Sequence, residues 1–244
     1  MRLLTLTEAK LLMREPLALF WGLAFPMVLL AVMGLSTATI GGLPLAAVYE
    51  PIVIAFISVV FGVQGLPVHV ASYREGRILR RLATTPAGPV RVIGAQLAVS
   101  LTVGLAATAG VLAVGRLGFA VPLPRQPAGF AFATVLAATA MLGLGLLIAA
   151  LAPNARSAGA AGTVLFFPLM YFAGLWTPQL SPTARHIGEF TPLGAATQAL
   201  REAMAGAWPH PMPLIVLGAC TLACSATAAR LFRWDSRDLH RWKY

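Results

Sequence analysis

PIVIAFISVVFGVQGLPVHVASYREGRILRRLATTP, residues 51–86, decides the fold. Residues 51–72 contain no Asp, Glu, Lys or Arg; then Arg74, Glu75, Arg77, Arg80 and Arg81 crowd together ahead of Pro86. A helix of about 20 apolar residues crosses the hydrocarbon core of a bilayer. Lipid leaves no water to satisfy open backbone groups, so a long charge-free run is read as a membrane-crossing helix. The stretch therefore predicts a span over 51–72, followed at 73–86 by a helix on the membrane surface.

The same pattern recurs outward from this stretch. Charge-free runs at 17–36, 92–115, 128–152, 157–178 and 211–229 are each long enough to span, and each is bounded by charge, Pro or Gly. Composition agrees: 58% of the 244 residues are hydrophobic and 11% charged, against about 45–50% and about 25% in soluble domains. The expected fold is an all-α polytopic membrane protein with six transmembrane helices in a single domain, 1–244. Small residues such as Gly94, Ala98, Gly143, Gly145, Ala158 and Gly162 are expected to let helices pack closely.

The net charge of +10 resides in short clusters between the runs. Fourteen of the eighteen Lys and Arg residues fall in the odd-numbered connections, counting the N-terminal segment as first. The positive-inside rule then places the N-terminal segment 1–16, the segment 73–91 and the tail 230–244 in the cytoplasm, and residues 179–210 outside. The expected location is the cell's inner or plasma membrane, with no nucleic-acid partner. MRLLTLTEAKLLMREP, the N-terminus, lacks the uninterrupted apolar core of a cleavable signal, so the first span is expected to serve as the insertion signal. No charge lies inside a predicted span, which argues against ion-driven carriers, since these place ionisable groups in the membrane.

Two connections carry more information. In 72–86, Ile78, Leu79 and Leu82 project to one side of a helix, and Arg74, Arg77, Arg80 and Arg81 to the other. The arginines suit anionic lipid headgroups or a partner protein. Glu75 falls on the apolar side and requires a partner; Arg14 or a helix start are the candidates. In the second connection, Thr191 is a natural N-cap, Pro192 occupies the first turn and Gly206 closes the helix. Leu193, Ala196, Leu200, Ala203 and Ala207 form its weakly apolar stripe, beside Arg201 and Glu202. The tail RLFRWDSRDLHRWKY, with five basic residues and two Trp, suits the membrane interface.

Together these features resemble the ABC-2 type permeases, and within them the small drug exporters typified by the daunorubicin resistance permease. YREGRILRRLATTP is similar to the family's segment E-x-G-T-L-E-x-L-x-x-T-P, a cytoplasmic helix that enters a groove of the ATPase; Arg80 stands where a second acid is common. The resemblance implies an ATPase-coupling element that includes Arg74, Glu75, Arg77, Leu79, Arg81, Leu82 and Pro86. TPLGAATQALREAMAG is similar to the family's re-entrant helical segment between the fifth and sixth spans, which assigns Thr191, Pro192, Leu200 and Arg201 to it. The family implies a pair of permease subunits, here two copies of the same chain, with two P-loop ATPase subunits that bind ATP and Mg.

A P-loop requires GxxxxGK[ST], but Lys10 precedes Leu11 and Lys243 precedes Tyr244. This sequence therefore holds no cofactor or metal site of its own. Among the spans, Phe25, Phe167 and Tyr171 are the candidate lining of a path for a hydrophobic drug, antibiotic or lipid. The alternatives are a non-transporting scaffold or immunity protein, and a membrane-embedded enzyme. Against the enzyme, His69, His186, His210 and His240 are scattered without metal-ligand spacing.

Overall fold

A rod of 31 residues, Leu45–Glu75, forms the axis of the molecule, with 83% of its most apolar window buried against other helices. The computed structural model describes residues 19–76 and 88–231. Arg77, Leu79, Arg81, Leu82 and Pro86 of the expected coupling helix lie outside the described residues, as do 1–18 and 232–244.

The rod has three parts: α2 (Leu45–Val59), a π-helical turn (Val60–Gly65) and α3 (Leu66–Glu75). The wide turn has a local cause. Pro67 has no N–H, and in α-helical register its ring would strike the Val63 carbonyl. Inserting a residue relieves the clash, and the Leu66 N–H donates to Phe61 O, five residues back. The same device precedes Pro26, where the π-helical turn Phe20–Ala24 leads into α1 (Phe25–Gly34) and the Phe25 N–H donates to Phe20 O.

The two wide turns meet, because Gly22 lies so close to the Phe61 ring that a Cβ would collide with it. On the other flanks a Cβ on Gly145 would overlap the Gly62 carbonyl, and one on Gly162 the Val63 carbonyl. Two of the predicted small residues thus admit α5 (Pro127–Leu151) and α6 (Ala155–Ala173) to the rod's widest turn. Gly94 meets no atom within 4 Å and has no such role.

Around this axis stand α4 (Gly88–Phe119), on the flank shared with α1, and α9 (Pro211–Leu231), which packs along α5. Among the described residues four helices are long and apolar enough to cross a membrane: Leu45–Glu75, Arg91–Phe119, Pro127–Leu151 and Pro211–Leu231. Phe20–Gly34 is apolar but shorter. The chain alternates between two ends of the bundle. One, the Glu75 end, carries Glu75, residues 152–154 and Leu231. The other, the hairpin end, carries residues 39–44, 120–126 and 174–210.

Several boundaries differ from expectation. The second span begins at Leu45 rather than at 51, because Pro44 with its extended ψ of 148° starts the helix before the charged Glu50 is reached. Glu50 is therefore inside a span, which corrects the expectation of charge-free spans. Residues 73–75 continue the rod instead of opening a separate helix. The fifth expected span, 157–178, stops as α6 at Ala173, where Gly174 takes a φ of 87°. Among the described residues a hairpin, β1 (Thr39–Ile40) with β2 (Leu43–Pro44), departs from an all-α fold; Gly41 and Gly42 make its turn with φ of 58° and 78°.

At the hairpin end α7 (Pro182–Glu189) and α8 (Pro192–Ala205) fold back onto the bundle. Thr191 Oγ1 accepts from the Gly194 N–H at 3.2 Å, Pro192 opens α8, and Gly206 closes it with a φ of 105°. Leu193, Ala196, Leu200 and Ala203 are fully buried, and α8 packs on α5, α9 and α6.

Candidate functional site

At the Glu75 end two successive side chains of the rod grip two other helices. Arg74, only 4% exposed, donates one guanidinium N–H to Ala149 O at 3.2 Å and another to Ala152 O. These are carbonyls at the C-terminus of α5, where orphan acceptors and the negative end of the helix dipole favour a cation. Glu75 Oε1 accepts from the Ala155 N–H at 2.9 Å, at the first residue of α6. There the dipole favours an anion, and Asn154 with Ser157 completes a capping box. Residues 152–154 are thus clasped from both sides.

Arg74, expected on a stripe facing lipid headgroups or a partner protein, has its guanidinium buried against α5. The carboxylate of Glu75 does cap a helix start, but that of α6, 80 residues away in sequence.

A cavity of about 510 Å³ lies between α1, the rod and α6. Trp21, Phe25, Phe56, Phe166, Phe167 and Trp176 supply its aromatic walls, and Tyr49, Gln64 and Thr163 its polar atoms. The rings form a connected series with centroid separations of 4.7 Å for Trp21–Phe25, 5.4 Å for Phe25–Phe56, 5.9 Å for Phe56–Phe166 and 5.6 Å for Phe166–Phe167. Trp176 stacks on Phe167 at 6.2 Å. The cavity opens on the flank of the bundle, where Phe167 and Trp176 are both 55% exposed.

Of the three residues expected to line a path, Phe25 and Phe167 do line this cavity, and Tyr171 does not; it contacts Phe172 instead. Sequence reasoning missed Phe56 and Gln64. Gln64 carries the only side-chain amide between Pro16 and Glu75, a signal that was available. It belongs to the π-helical turn and makes no hydrogen bond with the described residues, which leaves its amide available to a ligand.

A third missed residue is Glu50, 1% exposed, whose Oε1 sits so close to Gly115 that a Cβ there would collide with it. Its Oε2 has no partner among the described residues. It is the one charged residue between Glu15 and Arg74 in the sequence, and treating it as a span boundary hid it.

At the hairpin end the segment expected to be re-entrant splits its residues by role. Thr191 and Pro192 start α8, Leu200 is fully buried, and Arg201 lines a cleft with Arg185. No group of three His, Cys, Asp or Glu residues placed to hold a metal occurs among the described residues.

A protein-family model described as ABC-2 type transporter matches residues 1–205. No curated protein and no solved structure matches the chain.

Proposed function

The chain belongs to the ABC-2 type transporter family, and from this membership we propose that it is the permease subunit of an exporter for a hydrophobic drug, antibiotic or lipid-like substrate. The family brings with it an ATPase partner of the ABC type. In our reading two copies of the chain pair with two such ATPases, which bind ATP and Mg. Six passes, with both termini in the cytoplasm, put the Glu75 end inside and the hairpin end outside. Phe20–Gly34 and Ala155–Ala173 supply the two crossings beyond the four long helices.

The observation that carries this reading is that the aromatic cavity and the clasp share their walls. The rod and α6 face each other across the cavity, and Glu75 joins these same two elements at their base. Residues 77–86 follow the clasp directly in the chain. When nucleotide closes the ATPases, a push on this coupling segment reaches Glu75 first and then both cavity walls. Arg74 carries α5 along through its C-terminal carbonyls. Transport requires only that substrate and nucleotide contact the two states unequally.

The cavity exceeds the lower bound of about 300 Å³ for small-molecule sites and has their character, apolar walls with a few polar groups. Gln64 is the specificity group. The complex in lipid vesicles, given ethidium as a planar aromatic probe, is expected to hydrolyse ATP faster than without it. F25A, F167A and Q64A each lower that stimulation severalfold, while Y171A leaves it unchanged. Stimulation that is equal in all four variants would remove the cavity from the path.

A further inference from the structure

We propose that the cleft at the hairpin end is a binding site for a phosphate-bearing anion, held by Arg185 and Arg201. The cleft encloses about 320 Å³ between the end of α6, the turn 174–180, α7 and α8. Its base is shaped by the close crossing of α7 and α8, where a Cβ on Gly194 would overlap the Gly188 carbonyl. Arg185 projects from α7 and Arg201 from α8, and both line the same space.

The two like charges in one cleft repel each other. Desolvation by the surrounding chain, with the Arg185 charge second, lowers the pKa of Arg201 from its ordinary value, although an arginine stays protonated in a protein. Neither guanidinium comes within ion-pair distance of a carboxylate among the described residues. Two carboxylates also line the cleft, but both are engaged. Glu202 Oε1 accepts from Gln198 Nε2 at 3.0 Å, and Oε2 from the His210 backbone N–H at 2.7 Å. Glu189 Oε2 faces His186 Nδ1 at 3.4 Å. Among the described residues neither arginine forms an ion pair.

The chemistry of the missing partner follows from the donors. Two guanidiniums present about ten N–H groups in rigid forks, whereas one carboxylate offers about four acceptor sites. A phosphate group, with its several oxygens and its fit to bidentate donors, matches the pair better. It could be carried by a phospholipid headgroup or by a soluble phosphate. Placement at the outer leaflet rests on the orientation proposed above; the binding chemistry does not.

The test uses the purified full-length chain. Inorganic phosphate is titrated while the thermal unfolding midpoint is followed. Separately, protein from phosphatidylcholine nanodiscs with and without phosphatidylglycerol is analysed by native mass spectrometry for retained lipid. A saturable rise of the midpoint with phosphate, lost in R185Q/R201Q, identifies a site for the phosphate group itself. Retention of phosphatidylglycerol without a phosphate effect, reduced about tenfold in the double variant, identifies a lipid headgroup site. R185K/R201K, which keeps the charge without the fork, retains part of the binding. R116Q, a charge removed outside the cleft, retains all of it. If neither probe binds the unmodified protein, or R116Q weakens binding as much as R185Q/R201Q, the proposal is overturned. Substrate-stimulated ATP hydrolysis is measured separately, so failure here leaves the export reading standing.

Discussion

The two ends of the bundle use arginine in opposite ways. At the Glu75 end, Arg74 is buried and its guanidinium donates to two carbonyls at the C-terminus of α5, with Nε unpartnered among the described residues. At the hairpin end, Arg185 and Arg201 reach the surface of a shared cleft and form no ion pair among the described residues, although Glu189 and Glu202 line it too. The difference lies in what each meets. The C-terminus of a helix is a ready acceptor for a cation, and Arg74 lies against one; Arg185 and Arg201 line a cleft in which neither forms an ion pair among the described residues. The first arrangement holds helices together, and the second leaves charge available to something else.

Thermal unfolding of purified variants in detergent separates the two uses. R74A, which strips donors from two carbonyls beneath a buried side chain, is expected to cost about 3 kcal/mol, with R74K recovering part of it. E75A removes one charge-assisted cap from the first turn of α6 and should cost about 1 kcal/mol. R185Q removes a repelled surface charge and should change stability by less than about 0.5 kcal/mol, or raise it slightly. If R185Q proved as damaging as R74A, the cleft arginines would be structural and the contrast between the ends would fail.

Glu50 stands between these cases, buried with one oxygen facing Gly115 and the other without a partner. An unpaired carboxylate is costly to bury, and an amide of the same shape carries no charge to desolvate. E50Q is therefore expected to unfold at or above the wild-type midpoint, whereas G115A, which drives a methyl into the carboxylate, should lose about 2 kcal/mol.

What could be read from the sequence was local. Thr191, Pro192 and Gly206 mark the ends of α8 because capping depends on neighbours within one turn. The apolar runs reveal the long helices because lipid demands length and continuity. The partner of Glu75 could not be read, since Ala155 becomes its neighbour only when the rod and α6 pack. Arg74 looked like one more member of a cationic stripe for the same reason. Glu50 was misplaced because a charge was taken as the end of a span, although Pro44 had already started the helix.

The cavity was half legible. Phe25 and Phe167 stand out as aromatics, but Phe56, which links their rings, reads as ordinary span. Tyr171 follows Phe167 by four residues and so shares its helix face. The left-handed Gly174 turns the chain back, and Leu175 and Trp176 take the places beside the cavity instead.

Glu75 is proposed to join residues 77–86, the expected ATPase-coupling segment, to the walls of the cavity. The direct test is substrate-stimulated ATP hydrolysis by the purified complex of this chain with its ATPase, wild type against E75A, after confirming that both complexes assemble. The account predicts that ethidium accelerates hydrolysis in the wild type, and that E75A binds its ATPase yet loses most of the acceleration. Equal acceleration in the two complexes would contradict it.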